Sequence, residues 1–558
     1  MKKLFKLLAL TVGTVFVLGT LAACNNDEDS GSTDTNGGGN ATTGTENGGG
    51  TFVGENPWEF DPNTEGRITI FAFHGDDELH ENIGNPDLGP EDFFNSRHAE
   101  LAAAARIFNE RYPNIQVDLF AASGEPGQWE VSYQQARENF RNEFGYLPDA
   151  WVTQEVVPDV LSGLAADLSI FAGDPLFQSF NPAMMARVNY GGVQAALPSY
   201  AFPLAFPVNL SLAEQHNITL PTPNWTLADY LAFISAADMD TFFGDMVANP
   251  TLIATAVDTI DAQFAQDGTV NFNTDEVREL VTMLGQIAQY TVWDGFNAGT
   301  VSSDVMDQFW WWGGAFFAWN ATLANSEAVW NLGDLADPNS GWAMSAENWD
   351  VFPFPSATAA QTNRIRLLQD NIVIGNSVDR ATAEENALQI AMTYRFVSMF
   401  LADNDVFAAR AAAQFATVDP YSGEVTLRNA VIDSLPVVSG PSFDVQMAIW
   451  NAREGRERFT NADLMPGWHM IMELIEAGDF VQIDTRTDAI QFVEGGVRVN
   501  AMADWNNLAN LIDDLAITEP GWADQVNARL ADLTETTNEY LRRAAQEMEE
   551  ALSRYYGR

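Results

Sequence analysis

The sequence predicts an α/β fold with a largely parallel sheet, because segments with strand periodicity alternate with segments of helical pattern. Residues 66–73, GRITIFAF, alternate apolar and polar side chains and contain β-branched residues, which is typical of a strand. Residues 98–113, HAELAAAARIFNERYP, have a helical pattern that stops at Pro113. Hydrophobic residues make up 46% of the chain, which is enough for substantial cores.

The alternation continues along the chain. Residues 114–120, NIQVDLF, predict a second strand, and residues 129–145 predict a second helix. LPDAWVTQ at 147–154 predicts a third, short strand, and residues 155–169 predict the start of another helix. Successive strands joined by helices favour parallel pairing.

The N-terminal segment has the pattern of a secretory signal. Lys2, Lys3 and Lys6 precede the apolar run 7–19, which is shorter than the roughly 20 residues that span a bilayer. The following Leu-Ala-Ala-Cys ends at Cys24, the single cysteine, and resembles the lipobox of bacterial lipoproteins. The resemblance implies that residues 1–23 are a signal peptide and that Cys24 carries lipid; the alternative is a free or buried thiol.

Residues 24–56 contain almost no apolar side chains in their first part and predict a disordered tether rich in Gly, Thr, Asn and Asp. No later segment has 18 consecutive apolar residues, so the sequence predicts no further membrane span.

The charge is strongly acidic after the signal segment. All lysines lie within residues 2–6, so the rest of the chain has 24 Arg against 77 Asp and Glu, a net charge of −53. This argues against a nucleic-acid-binding role, which requires cationic side chains to neutralise phosphates. Arginine keeps its charge where lysine loses it, so the lysine-free chain suggests an alkaline, perhaps saline, exterior; drift in genome composition is the alternative.

Eight segments in order resemble the family 1 extracellular solute-binding proteins, receptors of ABC importers, many of them for carbohydrates. They span about residues 67–402, and the match beyond 402 is looser, limited to SLPVVSG and a helix from about Trp522 to Tyr556. The eight segments are ARIFNERYPNIQVDL, LPDAWVTQ, VLSGLAADLSIF, ALPSYAFPLAFPVNLSLAEQHNI, NWTLADYLAFISAA, GGAFFAWN, WDVFPFP and DNIVIGNSVDRATAEENALQIAMTYRFVSMF.

The resemblance implies a bilobal periplasmic-binding-protein-like fold, with two discontinuous α/β lobes and a ligand cleft between them, over residues 57–558. Lobe 1 is predicted at about 57–200 and 335–385, and lobe 2 at about 210–334 and much of 386–558. The apolar, proline-punctuated segment 196–209 is predicted to be a buried strand that crosses between the lobes.

Carbohydrate ligands pack their C–H faces on aromatic rings, and sixteen tryptophans make such platforms available. The densest candidate is DQFWWWGGAFFAWN, residues 307–320. The resemblance points to Trp319 and Asn320 as ligand contacts, with Trp311 or Trp312 as further candidates. Packing in the core is the alternative for each, since aromatic side chains more often serve that purpose.

Other candidates follow predicted strands. Tyr200 occupies a position where the family often has a tyrosine facing the ligand. Gln154 and Glu155 follow the third predicted strand, and ligands bind beyond the carboxyl ends of parallel strands. The alternatives are strand packing for Tyr200 and helix capping for the other two.

Two pairs of adjacent residues, each with one aspartate, are further predicted ligand contacts. Trp349 and Asp350 belong to WDVFPFP, and Asp370 and Asn371 precede an apolar strand. At the second position the family commonly has a Gly-Gly pair, which this chain replaces with Leu-Leu-Gln-Asp.

His74 follows the first predicted strand and is a further candidate ligand contact; a metal bound by His74 and His80 is an alternative that the spacing does not favour. A calcium loop at Asp238, Asp240 and Asp245 is disfavoured as well, because Phe242 and Phe243 stand where such loops need oxygen ligands and glycine. We predict no cofactor and no metal.

No catalytic motif is found in the sequence: it has no G-x-S-x-G elbow, no HExxH and no P-loop. We therefore predict a non-enzyme, the substrate-binding component of an ABC importer, anchored through Cys24 on the extracellular face of a bacterial cytoplasmic membrane. It would bind a solute, most plausibly an oligosaccharide, and deliver it as a monomer to permease subunits. A sensory or adhesive receptor and an importer receptor for a non-sugar solute such as a peptide are the alternatives, and a secreted hydrolase is the least favoured.

Overall fold

The structure, a computed structural model, describes residues 56–558 with gaps. The gaps are 74, 76, 94, 123–128, 240, 247, 249–262, 265, 293, 296–300, 302–320, 327–334, 337–343, 345–346, 377–381, 419–422, 481–490, 495–496, 501–516 and 518–519. The predicted signal peptide, Cys24 and nearly all of the tether lie outside the described residues.

The described strands, in chain order, are β1 Gly66–Phe73, β2 Glu78–His80, β3 Ile115–Ala122, β4 Ala150–Thr153, β5 Asn189–Tyr190, β6 Val193–Gln194, β7 Leu197–Leu204, β8 Phe206–Val208, β9 Asp350–Phe352, β10 Arg366–Ile374, β11 Gln414–Val418, β12 Val425–Asn429, β13 Gln491–Glu494 and β14 Val497–Asn500.

The described α-helices are α1 Ser96–Arg111, α2 Trp129–Phe144, α3 Val157–Leu161, α4 Pro175–Ser179, α5 Pro182–Arg187, α6 Leu210–Gln215, α7 Leu227–Ile234, α8 Asp275–Ile287, α9 Ala383–Ala402, α10 Asn404–Ala412, α11 Gly440–Asn451, α12 Pro466–Ala477 and α13 Trp522–Ala551. Short 3₁₀ helices occur at Pro90–Asp92, Leu168–Phe171, Ala288–Tyr290 and Arg456–Thr460, and a π-helical turn at Leu552–Tyr556.

The chain divides into two compact units, both discontinuous in sequence. Unit 1 comprises the described residues up to Thr153, with Val373–Phe400 and Ala412–Ala430. Unit 2 comprises Gln154–Ile372, Leu401–Ala411 and Val431–Arg558. The predicted lobe boundaries differ from these units, because they assign residues 154–200 to the first lobe. They remain a prediction.

Unit 1 is built on a sheet with β1 at its centre. β1 pairs in parallel with β3 from Gly66↔Ile115 to Phe73↔Ala122, and with β4 at Ile70↔Ala150. β2 pairs antiparallel with β3. Strands buried on both faces read as apolar runs, and β3 and β4 are almost wholly buried. The predicted parallel strand–helix alternation is confirmed here.

Helix α1 shows how local sequence sets an element of unit 1. The Asn95 side chain accepts a hydrogen bond from the Arg97 amide at 2.8 Å, which caps the first turn. The helix ends at Arg111, two residues before Pro113. Its buried face includes Phe108, which packs edge-to-face on Phe396 of α9 with 5.4 Å between ring centroids.

The described part of unit 2 has four antiparallel strand pairs: β5 with β6, β7 with β10, β8 with β9, and β13 with β14. β7 and β8 are almost entirely buried, as predicted for residues 196–209, but they are two strands with different partners; the crossing between lobes stays a prediction. The main core cluster of the unit joins β8, α7, α8 and the long helix α13, with Phe206, Tyr230, Val281 and Leu530 all fully buried. α13 with its terminal turn covers residues 522–556, the helix expected from the sequence.

None of the helices in the described part of the chain combines the length and the apolar character needed to cross a membrane.

Candidate ligand-binding site

Three of the predicted ligand residues meet in unit 2. Gln154 is exposed directly after β4, and its Nε2 donates to Oδ1 of Asp370 on β10 at 2.8 Å. Tyr200 on β7 lies directly opposite Asp370 in the antiparallel register, so both side chains share one face of the strand pair. Asp370 is 5% exposed and Tyr200 is 3% exposed. An amide, a carboxylate and a phenol are thus brought together from positions 46 to 216 residues apart.

The register of this strand pair is irregular at the same place. Asp370 pairs with Tyr200 but Asn371 pairs with Pro198, so Ser199 is an extra residue in β7. Such bulges re-aim side chains and are common beside binding sites. Ser199 is 3% exposed, and its Oγ has no hydrogen-bond partner among the described residues. An unsatisfied buried hydroxyl is costly, which makes Ser199 a residue of interest that sequence reasoning missed.

A signal for the bulge was present in the sequence. Proline cannot donate a hydrogen bond to a neighbouring strand and is confined to edges and bulges, and β7 contains Pro198 and Pro203.

Asn371 lies on the opposite face of β10 from Asp370. Its Oδ1 accepts from Nε2 of Gln369 at 2.7 Å, and Arg187 donates to Oε1 of Gln369 at 3.2 Å. Alternate residues of a strand point to opposite faces, so the predicted pair is divided and only Asp370 joins Gln154 and Tyr200. Glu155 is half-buried just before α3.

Trp349 and Asp350 are placed elsewhere in unit 2, in a cluster with Arg458. Trp349 is 1% exposed; the Arg458 guanidinium lies 4.0 Å from its ring centroid and donates to its carbonyl oxygen at 2.7 Å. Cation–π contacts of this kind stabilise packing. The predicted ligand role of Trp349 remains a prediction, and its surroundings favour a core role.

Asp350 caps a helix from a distant strand. Its carboxylate accepts from the amides of Gly467 at 2.7 Å and Trp468 at 3.3 Å, at the start of α12. Burial raises the pKa of Asp350 to about 7, and these hydrogen bonds and the charge of Arg458 oppose the rise. The residue is fully buried, so its ligand role, too, stays a prediction that its contacts do not favour.

The remaining candidates, His74, Trp311, Trp312, Trp319 and Asn320, lie outside the described residues. The described segment after them, 321–326, is fastened to a buried carboxylate. Asp245 accepts from the Ser326 amide at 3.0 Å and from the Tyr230 hydroxyl. Burial raises the pKa of Asp245 to about 7, against these hydrogen bonds.

The acidic stretch 237–245 does not gather its carboxylates. Asp238 is exposed and Asp245 is fully buried, while Asp240 lies outside the described residues. Among the residues that the structure describes, no group of three or more His, Cys, Asp or Glu side chains could hold a metal ion.

A depression of about 490 Å³ lies between α11 and the 3₁₀ helix at 456–460. Its lining includes Asp444, Met447, Asn451 and Glu457 and none of the predicted ligand residues. The candidate site is therefore the group formed by Gln154, Ser199, Tyr200 and Asp370.

Comparison with solved structures identifies the fold. The sugar-binding protein MalE from the phytopathogen Xanthomonas citri aligns over 87% of this chain and 99% of its own, with a TM-score of 0.51 and 13% sequence identity. A family 1 extracellular solute-binding protein from Alicyclobacillus acidocaldarius aligns over 85% of this chain and 98% of its own, with a TM-score of 0.50 and 10% identity. The chain has the solute-binding-protein fold. The predicted bilobal periplasmic-binding-protein-like α/β class is thereby confirmed.

No protein-family model and no curated protein matches the sequence of this chain. The structural alignments show a shared fold. At sequence identities of 10–13% they do not transfer the roles of individual residues to this chain.

Proposed function

We propose that this protein is the extracellular substrate-binding component of an ABC importer and that its solute is a carbohydrate, most plausibly an oligosaccharide. The observation that carries the proposal is the likeness of fold to a sugar-binding protein over 87% of the chain. The order of family-like segments along residues 67–402 supports it independently.

The chemistry of the candidate site suits a polyol. Sugar hydroxyls both donate and accept hydrogen bonds, so they need planar partners of both kinds. The carboxylate of Asp370 accepts and the carboxamide of Gln154 does both, while the Tyr200 ring adds an aromatic surface on the same strand face. Sites for small ligands combine apolar lining with a few oriented polar groups.

Attachment and partners belong to the same proposal. Cys24 would carry the lipid that holds the protein on the outer face of the cytoplasmic membrane. Permease subunits would receive the solute from a closed form, which ligand favours because it binds that form more tightly. With 24 Arg and 77 acidic residues, the surface suits cationic permease loops. The absence of the searched catalytic motifs supports a binding role without chemistry.

The first test is calorimetric titration of residues 52–558 with mono- and oligosaccharides, with peptides, amino acids and polyamines as controls. Ligand at about 100 times its dissociation constant stabilises a protein by about 2.7 kcal/mol, so a thermal-shift screen can choose the sugars. We expect one saccharide class to bind. Binding of a peptide or a polyamine alone would overturn the ligand class and leave the fold unaffected.

Two variants test the site. Asp370→Asn and Gln154→Ala should each weaken saccharide binding about tenfold or more, because a buried ligand hydroxyl would lose its partner, at about 1.4 kcal/mol per tenfold. Gln289→Ala is the matched control, since Gln289 is exposed and its side chain makes one long bond of 3.4 Å. Unchanged affinity in both site variants would move the site away from this strand pair.

A further inference from the structure

Residues 552–558 follow helix α13 and fold onto a distant part of unit 2. The segment begins with the π-helical turn Leu552–Tyr556, an unusual conformation that often marks functional positions. It contacts the loop between α3 and the 3₁₀ helix at 168–171, some 390 residues earlier in the chain. We call residues 552–558 the clasp.

Two side chains of the clasp hold the loop through hydrogen bonds. The Tyr556 hydroxyl donates to the carbonyl oxygen of Ala165 at 2.9 Å. Arg558 donates to Oδ2 of Asp167 at 3.1 Å and to Oγ of Ser169 at 3.4 Å. Burial raises the pKa of Tyr556, and the nearby carboxylates of Asp159 and Asp167 raise it further, so the hydroxyl stays a donor.

The loop at Gly163 and the turn between β5 and β6 at Gly191 both make room for the clasp. Gly163 and Gly191 have φ angles of +71° and +57°, which side-chain-bearing residues rarely adopt. A Cβ atom at Gly163 would lie 2.6 Å from the Tyr555 ring, and one at Gly191 would lie 2.6 Å from the Leu552 side chain. Both glycines therefore provide the close approach that the clasp needs.

The clasped loop is continuous with the candidate site. The amides of Leu164 and Ala165 both donate to the carbonyl of Asp159, at 2.8 and 3.2 Å, so the loop folds back on α3. α3 begins at Val157, three residues after Gln154. A restraint on the loop is thus a restraint on the position of Gln154 against Asp370.

The N-terminal half and the middle of α13 are fixed to the rest of unit 2. The Asn538 side chain accepts from the amide of Val270 and donates to its carbonyl, both at 2.8 Å, and Thr534 accepts from the Phe272 amide at 3.0 Å. Leu530 and Val526 lie fully buried in the core cluster. The helix, about 45 Å long at 1.5 Å per residue, is thus fixed to the core and carries the clasp at its C-terminal end.

We propose that the clasp is a positioning element for ligand binding: anchored by α13, it holds α3 and so orders Gln154 beside Asp370. The inference rests on the proposed function for the identity of the ligand. The restraint of α3 by the clasp rests on the hydrogen bonds and close contacts described above. Tyr556 and Arg558 act through the loop and do not touch the ligand.

The test combines Tyr556→Phe with Arg558→Ala in one variant and uses Ser553→Ala, an exposed position of the same turn, as the matched control. By titration with the saccharide that binds the parent protein, the double variant should bind about tenfold more weakly and melt within a few degrees of the parent. Arg558→Lys, which keeps the donor, should restore most of the affinity when combined with native Tyr556. Unchanged affinity in the double variant would overturn the proposal.

A ligand-free measurement separates this proposal from the proposed function. Hydrogen exchange of amides 155–165 should speed up in the double variant, while amides of α8 keep the parent rate. If no saccharide binds the parent protein, the proposed function fails, and the exchange result still decides whether the clasp orders α3. Equal exchange in both proteins, or faster exchange throughout unit 2, would overturn the positioning role.

Discussion

Asp245 and Asp350 carry carboxyl groups that are buried deeply enough in unit 2 for their charge to be costly. Removal from water is the main cause of the raised pKa of both, about 7 in each case. Hydrogen bonds from main-chain amides reduce the cost without removing it. Between about pH 4 and pH 7 the folded protein therefore holds protons that the unfolded chain releases.

The difference between the folded and unfolded pKa values determines whether the stability of the protein rises or falls with pH. Because the folded-state pKa of Asp245 lies above its unfolded value, the stability associated with its proton is present at low pH and falls as the pH rises through about 7. Asp245→Asn removes this titration. We expect the variant to lose less stability than the parent between pH 5 and pH 8, as measured by urea midpoints at each pH.

Asp267→Asn is the control for this prediction, since Asp267 is exposed. Its pH profile should follow that of the parent protein. Parallel profiles for Asp245→Asn and the parent would show that Asp245 is ionised throughout this range.

At residue scale, sequence reasoning could name candidates but could not predict their burial. Gln154 is predicted from its place after a strand, Tyr200 from the family resemblance and Asp370 from its place before one, and the strand register brings them together. Asp350 looked equally suitable, but the amides that enclose it belong to α12, more than 110 residues later. Such distant partners leave no mark in the local sequence.

Among the elements, helix α7 has a complete capping box. Thr226 Oγ1 accepts from the Asp229 amide at 3.1 Å, and the Asp229 carboxylate accepts from the Thr226 amide at 2.9 Å. The box satisfies amides that the first turn leaves unpaired. The buried face of the helix then places Tyr230 next to Asp245.

Thr226→Ala should therefore destabilise the protein by about 1 kcal/mol, the usual cost of losing an N-terminal cap. The measurement is the free energy of unfolding from urea titration. Thr222→Ala, a few residues earlier on an exposed loop, has a single 3.4 Å bond to lose and should change stability by much less. Equal effects would mean that the capping box contributes nothing measurable.

The bounds of elements with strong periodicity follow from the sequence, whereas the helix predicted from residue 155 is shorter than expected. Strand β1 and helix α1 lie within two residues of their predicted bounds. The helix expected over 155–169 ends at Leu161, because Gly163 adopts a left-handed conformation and the chain turns back to meet the clasp. The sequence shows a glycine at position 163, but it does not show that the Tyr555 ring packs against it.

At the scale of the whole molecule, charge is the dominant property. Residues 24–558 have a net charge of −53, and like charges repel more strongly when the chain is compact. Salt shortens the range of this repulsion, to about 3 Å at about 1 M.

We therefore expect the melting temperature to rise as NaCl increases from about 0.05 M to about 1 M, because the screening length falls from roughly 10 Å or more to about 3 Å. Differential scanning calorimetry measures it. A non-ionic osmolyte at equal osmolality is the control and should give a smaller rise. A melting temperature that is flat or falling with salt would show that favourable ion pairs outweigh the repulsion.

The overall class was predictable because strand–helix alternation and the order of segments survive where sequence identity has fallen to 10–13%. The division into compact units depends on contacts between distant segments, which leave no local pattern in the sequence. Residues 154–200 illustrate this, because they belong to unit 2 together with α13.

The place of α13 in the core cluster has a consequence for folding. The cluster begins with Phe206 and is completed by Trp522, Leu530 and Leu541, so its contacts span more than 300 residues. Contacts so distant in sequence form slowly, since a long loop must close before they can stabilise the chain. A nascent chain that lacks its last helix therefore cannot complete this core.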